Sequence, residues 1–273
     1  MGRAYMWTSI RTVLSENFKN RYRLFRLANY ELKKQNTETV FGFLWNFFNP
    51  ALQIFVYWFV FAIGLNTSAP QGGYPYIIWM IVGIMPWLYI SAALMTTMTS
   101  IISYGGVLKR MSFPMAIVPV KSVCAALINH GWTMLVVVGV IFASGYKVSS
   151  YWPQTFYFTF CSVVFLVGYA LLSSAVNVVF RDFQKLMSSV IRLLFYLTPV
   201  VWVQERLPEN LKFVLKLNPF AYIVDGYRDS LLYGRNLAWH WKQGVYFWIL
   251  TLLLFAAGCS IHMKFRKKFI DLI

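Results

Sequence analysis

The stretch YGGVLKRMSFPMAIVP, residues 104–119, decides how the chain is read. It is short, basic at its centre and flanked on both sides by long apolar runs. Gly105 and Gly106 predict a sharp turn. Val107, Leu108 and Met111, interleaved with Lys109 and Arg110, predict a short amphipathic helix, and Phe113-Pro114 predicts its stop. A basic segment between two apolar runs marks a chain that leaves a membrane and returns, with Lys109 and Arg110 placing the loop on the cytoplasmic side. Two readings stay open on these residues alone: a solvated turn, or a docking knob for a soluble partner.

The composition sets the wider frame. Of 273 residues, 59% are hydrophobic and 12% charged, where soluble domains carry roughly 25% charged residues. Mean hydropathy is positive, and the charge-free runs are long enough to cross a bilayer. The formal net charge of +16 sits largely in the termini beside apolar runs. Anionic lipid headgroups and the positive-inside rule account for it, and no basic face suits nucleic acid. Cys124, Cys161 and Cys259 fall in apolar runs without ligand or disulfide spacing, as buried small hydrophobes do. The first apolar run follows some forty polar and charged residues, so no cleavable signal peptide is expected.

Working outward, residues 1–42 form a basic cytoplasmic segment. Leu14, Phe18, Tyr22, Phe25, Ala28 and Leu32 recur at helical spacing, predicting an amphipathic helix in the headgroup plane. Arg21, Arg23, Arg26, Lys33 and Lys34 form a basic collar. A membrane domain, 43–263, is predicted to hold about six spans, at 43–63, 76–99, 117–143, 154–180, 186–203 and 245–262, with both termini inside. Arg181-Asp182 returns the chain to the cytoplasm before the fifth span. Outside, 204–243 is predicted to hold two helices, one opened by Pro208 with Leu211 on its apolar face. The other is capped by Asn218-Pro219, with Phe220 and Tyr227 on its stripe and Gly234 closing it. This pair is read as a re-entrant hairpin or as lying at the outer surface. A basic tail, 264–273, ends the chain inside.

Little here is catalytic. There is no Gly-Lys-Ser/Thr phosphate loop, no His-Glu-x-x-His and no Gly-x-Ser-x-Gly, and His130, His240 and His262 are scattered. Any nucleotide-driven motor must come from another chain, and no metal site is expected. Asp225, Arg228 and Asp229 are expected to form a solvated polar face with a local ion pair. Arg192, an isolated charge inside a span, faces a cavity, reaches back to the surface or pairs with Asp182. Trp45, Tyr57, Trp58, Tyr89, Tyr196 and Trp202 are candidates by depth for a path along which sugars pass, since Tyr and Trp offer apolar faces and polar edges.

An ordered set of motifs runs through the chain: FGFLWNFFNPALQ (41–53), GIMPW (83–87), VLKRMSFPMAIVP (107–119), Arg181-Asp182, FYLTPVVW (195–202) and LNPFAYIVDGYRDSLLYG (217–234). Together they resemble the permease subunits of ABC-2 type exporters that move lipid-linked polysaccharides. Within that family the likeness is nearest to teichoic acid translocation permeases, through VYWFVFAIGL (56–65) and KRMSFPM (109–115).

The resemblance implies an all-α integral membrane protein in the plasma membrane, not an enzyme by itself. It implies a second permease copy and two copies of an ABC ATPase that binds ATP and Mg. It makes residues 105–114, excluding Ser112, the coupling helix seated in the ATPase, with Arg181 and Asp182 as a second cytoplasmic contact. The outer helix pair becomes a gate. The implied cargo is a polyprenyl-pyrophosphate-linked wall teichoic acid, entering from the inner leaflet near the collar and threaded outward. The alternative is another lipid-linked polysaccharide, O-antigen or capsule. An integral membrane transferase would need clustered acids or histidines at one membrane face, and an ion-coupled carrier a buried carboxylate within a span; the sequence shows neither.

Overall fold

The computed structural model describes residues 2–36, 39–65, 73–109, 113–147, 149–204, 208, 212 and 215–272. Among them, every regular element is helical. Two N-terminal helices, α1 (Gly2–Lys19) and α2 (Arg21–Asn36), lead into α3 (Trp45–Trp58), which continues as a π-helical turn, Phe59–Gly64. Then come α4 (Tyr76–Ser103), α5 (Gly105–Leu108), α6 (Ile117–Ala143), α7 (Gln154–Val179) and α8 (Phe183–Leu197). The chain ends with α9 (Pro219–Arg228), α10 (Trp241–Phe265) and α11 (Phe269–Leu272).

Among the described residues, five helical stretches are long and apolar enough to cross a membrane: Gly42–Gly64, Tyr76–Leu108, Ile117–Ala143, Gln154–Val179 and Leu237–Lys268. The fifth span expected at 186–203 is instead the 15-residue α8. At 1.5 Å per residue α8 reaches about 22 Å, short of a ~30 Å hydrocarbon core. It stops because Pro199 cannot donate to the helix and forces Thr198 into extended backbone (φ −99°, ψ 134°).

α4 is the central post. The most hydrophobic window of its stretch is 72% buried, whereas that of the α3 stretch is 0% buried. α6, α7 and α9 pack around α4, and α10 packs along α7. The α7–α10 crossing is close because both helices present glycine. A Cβ on Gly258 would sit 2.4 Å from the Gly168 carbonyl oxygen, and one on Gly168 would sit 2.9 Å from the Phe255 backbone. Small residues let membrane helices approach to backbone contact.

α9 begins as its sequence dictates. Pro219 occupies the first turn, and the Asn218 side-chain oxygen accepts from the Phe220 N–H at 3.0 Å. The Asn218 amide donates to Thr198 Oγ1 at 2.8 Å, tying α9 to the end of α8. The segment ends at Gly234, whose φ of +61° closes the turn. This helix is not a surface element: Phe220, Tyr222, Ile223, Val224 and Tyr227 belong to the main core. The solvated polar face expected around Arg228 is therefore corrected. Arg228 is 2% and Asp229 6% exposed, because the face carrying them is pressed onto α4. The partner helix expected around Pro208 and Leu211 falls mostly outside the described residues; Pro208 is exposed.

Three further expectations change. The N-terminal helix is two helices, broken at Asn20, and the stripe of Leu14, Phe18, Tyr22 and Phe25 faces outward. α1 instead buries Val13 against Leu171 and Cys259. Gly105 and Gly106 do not make the turn: both are helical in α5, and the break is at Tyr104 (φ −97°, ψ 3°). Finally, the basic tail is folded. Phe269 is fully buried in a cluster with Ile101, Leu108, Met115, Val118, Ala175 and Val178, and α11 packs against α7.

Candidate functional site

A cavity of about 580 Å³ lies between α3, α4, α6 and α8, within the usual range for ligand sites. α3 contributes Trp45, Asn49, Gln53 and Tyr57; α4 contributes Trp87, Tyr89 and Ser91. α6 contributes Asn129 and His130, and α8 contributes Arg192, Phe195 and Tyr196. Among the described residues, its wall thus combines aromatic rings, neutral amides and hydroxyls with one arginine and no carboxylate. Such a surface stacks on and hydrogen-bonds hydroxyl-rich ligands and tolerates an anion near Arg192.

The wall connects to α9 at two points. Tyr57 stands 5.0 Å and Trp87 5.8 Å from Phe195 between ring centroids, and Trp87 stands 5.9 Å from Phe220 of α9. Deeper in, His130 Nε2 lies 2.9 Å from the Tyr227 hydroxyl, which lies 2.6 Å from Thr159 Oγ1. Proton counting orders this chain. Thr159 donates its only hydroxyl hydrogen to the Thr155 carbonyl at 2.8 Å. Tyr227 must then donate to Thr159, and His130 Nε2–H to Tyr227. His130 Nδ1 is left as a buried acceptor without a partner among the described residues. The ring is held flat against Tyr89, with centroids 4.6 Å apart.

Arg228 anchors α9 at the far side. It donates to the carbonyl oxygens of Pro199 and Val200, each at 2.6 Å, and lies 3.7 Å from Asp225. Its guanidinium sits 3.5 Å over Trp79. Gly83 makes the space, since a Cβ there would lie 2.1 Å from Nη2. Asp229 meets Arg235 at 3.5 Å and His240 at 3.2 Å. At that same end, Tyr74 donates to the Leu232 carbonyl at 2.6 Å. Burial, and then the neighbouring Tyr146, push its hydroxyl pKa up, which keeps that donor protonated.

The sequence-predicted residues divide as follows. Trp45, Tyr57, Tyr89, Arg192 and Tyr196 come together in the cavity. Trp58 lines a separate apolar groove, and the Trp202 indole donates to the Tyr196 carbonyl at 3.0 Å. Arg192 bonds Ser189 at 3.2 Å and not Asp182, which pairs with Lys185 at 3.5 Å. Arg181 and Asp182 are exposed. In the loop, Gly106, Val107 and Lys109 are exposed, Gly105 and Leu108 are buried, and Phe113 and Pro114 are half-buried; Arg110 and Met111 lie outside the described residues. Arg21, Arg23, Arg26, Lys33 and Lys34 are all exposed on α2. Arg21 lies over Phe18 at 5.2 Å and Arg26 over Tyr22 at 5.6 Å. Of the gate residues, Phe220 and Tyr227 are buried, Pro219 is half-buried, and Leu211 lies outside the described residues.

Sequence reasoning missed three groups: the His130 chain, the Arg228 anchor and Lys121. Lys121, buried in α6, pairs with Glu31 of α2 and lies 4.8 Å over the Tyr104 ring, next to α5. Lys121 and His130 both interrupt an apolar run, and an ionisable residue inside a span is the signal that would have flagged them.

Among curated proteins, the chain is 26% identical over 248 residues to the O-antigen export system permease protein RfbA of Klebsiella pneumoniae, covering 90% of this chain and 93% of that one. It is 27% identical over 272 residues to the O-antigen export system permease protein RfbA of Myxococcus xanthus, covering 96% and 99%. The sequence profile of the ABC-2 type transporter describes residues 22–232. That stretch takes in all four helices around the cavity, the α5 loop and α9, and on this match the chain belongs to the ABC-2 type transporter family.

Proposed function

We propose that this protein is the membrane-spanning subunit of an ATP-driven exporter of a lipid-linked polysaccharide of the O-antigen type. The observation that carries this reading is the cavity. Four helices of an ABC-2 membrane chain converge on a space lined by aromatic rings and amides, the surface that saccharides require. The relatives reported above are O-antigen permeases, which favours that cargo over the wall teichoic acid expected from the sequence. In this reading α5 faces the cytoplasm and meets an ATPase subunit, two per assembly with two copies of the permease. Exposed Val107 and Lys109 form the contact, and Arg181 and Asp182 lie at a second one. ATP and Mg act in the partner. Closure of the ATPases pushes on α5, and α4 and α6 carry the push to the cavity wall.

The test is deletion of the gene, with analysis of surface polysaccharide and of lipid-linked polymer inside the cell. Surface polymer lost while its lipid-linked form accumulates, both reversed by the wild-type gene, is the expected result. Unchanged surface polymer overturns the reading. In the complemented strain, Lys109→Glu is expected to stay in the membrane, fail to export and lose the co-purifying ATPase.

A further inference from the structure

α5 is four residues long, Gly105–Leu108. A single helical turn gains too few hydrogen bonds to hold its own shape in water, so its position comes from what it rests on. Gly106 and Val107 are exposed, while Gly105 and Leu108 are buried, Leu108 to 3%. Leu108 lies in a small apolar cluster distinct from the main core. That cluster gathers Ile101 near the end of α4, Met115 and Val118 around the start of α6, and Ala175 and Val178 near the end of α7. Tyr104 and Phe113, on either side of α5, pack against it.

The remaining buried member comes from far along the chain. Phe269, the first residue of α11, is fully buried and is the bulkiest of the cluster's buried side chains. α10 carries it there by packing along α7, and Arg266, in the turn between α10 and α11, pairs with Glu16 of α1. The Phe269 ring stands edge-on to the buried His262 ring of α10, with centroids 5.3 Å apart. Lys267, Lys268, Asp271 and Leu272 around it are exposed. Among the described side chains of α11, the ring is therefore what the helix buries.

We propose that Phe269 is a positioning residue for the ATPase contact: its ring completes the cluster on which Leu108 is seated, and so sets how α5 presents Val107 and Lys109. The proposal rests on the reading of α5 as the ATPase-binding loop. It gives a coupling role to a part of the chain beyond residues 22–232, the stretch that the family profile describes. Interiors are packed closely enough that a missing ring lets its neighbours shift. A ring that only stabilised the bundle would change the melting temperature and leave the partner's affinity alone. A ring that seats α5 changes that affinity in a chain that still melts as the wild type does.

Two measurements on the full chain in nanodiscs test this. The first needs no partner. Leu108→Cys and Val107→Cys are treated with a water-soluble maleimide, and peptide mass spectrometry reads each position apart from Cys124, Cys161 and Cys259. Residue 107 is expected to react about tenfold faster than residue 108. Phe269→Ala is expected to raise the rate at 108 about fivefold, whereas Phe247→Ala, a buried ring near the opposite end of α10, leaves it unchanged. The same rate at 108 with and without the Phe269 ring overturns the seat. The second measurement titrates the ATPase that co-purifies with the wild-type chain. Phe269→Ala, or Phe269→Val where the alanine variant does not fold, is expected to raise the half-saturating ATPase concentration about fivefold. Phe269→Leu is expected to restore it. Unchanged affinity, equal weakening by Phe247→Ala, or loss of folding in both the alanine and valine variants overturns the positioning role. A wild-type chain that captures no ATPase overturns the exporter reading instead, and the maleimide rates then still decide the seat.

Discussion

The guanidinium of Arg228 lies 3.5 Å above the Trp79 ring, joining α9 to α4 across the space that Gly83 leaves open. The same group donates to the Pro199 and Val200 carbonyls, just where α8 has ended. One buried cation therefore ties three segments, and Arg228→Leu leaves two carbonyls without their donors. A loss of about 3 kcal/mol is expected, read as a lower melting temperature in detergent. Arg228→Lys is expected to recover less than half, because an ammonium cannot bridge two carbonyls in a planar fork.

The crossing of α7 and α10 predicts opposite outcomes for one substitution. Gly258→Ala places a methyl 2.4 Å from the Gly168 oxygen and must push the helices apart. It is expected to destabilise by about 2 kcal/mol or more. Gly139→Ala in α6 meets nothing within 4 Å and is expected to be neutral or to stabilise by up to about 1 kcal/mol. Parallel melting curves check both.

Tyr227→Phe removes the link between His130 and Thr159. A loss of about 1–2 kcal/mol is expected, and adding His130→Leu is expected to cost less than the sum of the two single changes. A double-mutant cycle measures this, and full additivity would contradict an energetic coupling through the His130–Tyr227 hydrogen bond.

For the α2–α6 tie, removing one partner is expected to be worse than removing both. Glu31→Gln strands the Lys121 ammonium in the bundle and is expected to destabilise by about 2 kcal/mol. That is below the ~3–5 kcal/mol of a fully buried pair, because Glu31 keeps about a fifth of its exposure. Adding Lys121→Met is expected to restore most of the melting temperature.

The all-helical membrane architecture was legible because it rests on run length and local signals. Charge-free stretches give the long helices, and Asn218-Pro219 and Gly234 mark the bounds of the α9 segment. The site was legible only in part. Trp45, Tyr57, Tyr89, Arg192 and Tyr196 could be picked by depth and type, and they meet in one cavity. Trp58 and Trp202 satisfied the same rule and lie elsewhere, because depth along a helix does not say which face is turned inward. Asn49, Gln53 and Asn129 carry no signal of their own until four helices meet. Arg228 misled for a related reason: i, i+3 spacing with Asp225 looks alike on a solvated face and on one pressed against tryptophan.

The glycine crossing also shows where the helices are held most tightly. Two backbones in contact cannot slide without collision, so α7 and α10 are locked to each other, and α4 packs along α7. α3, which buries none of its apolar window in the bundle, and α8, which buries only Ile191 and Phe195, are packed more sparsely. Both are walls of the cavity. The cavity therefore has two sparsely packed walls, α3 and α8, set against the deeply buried α4.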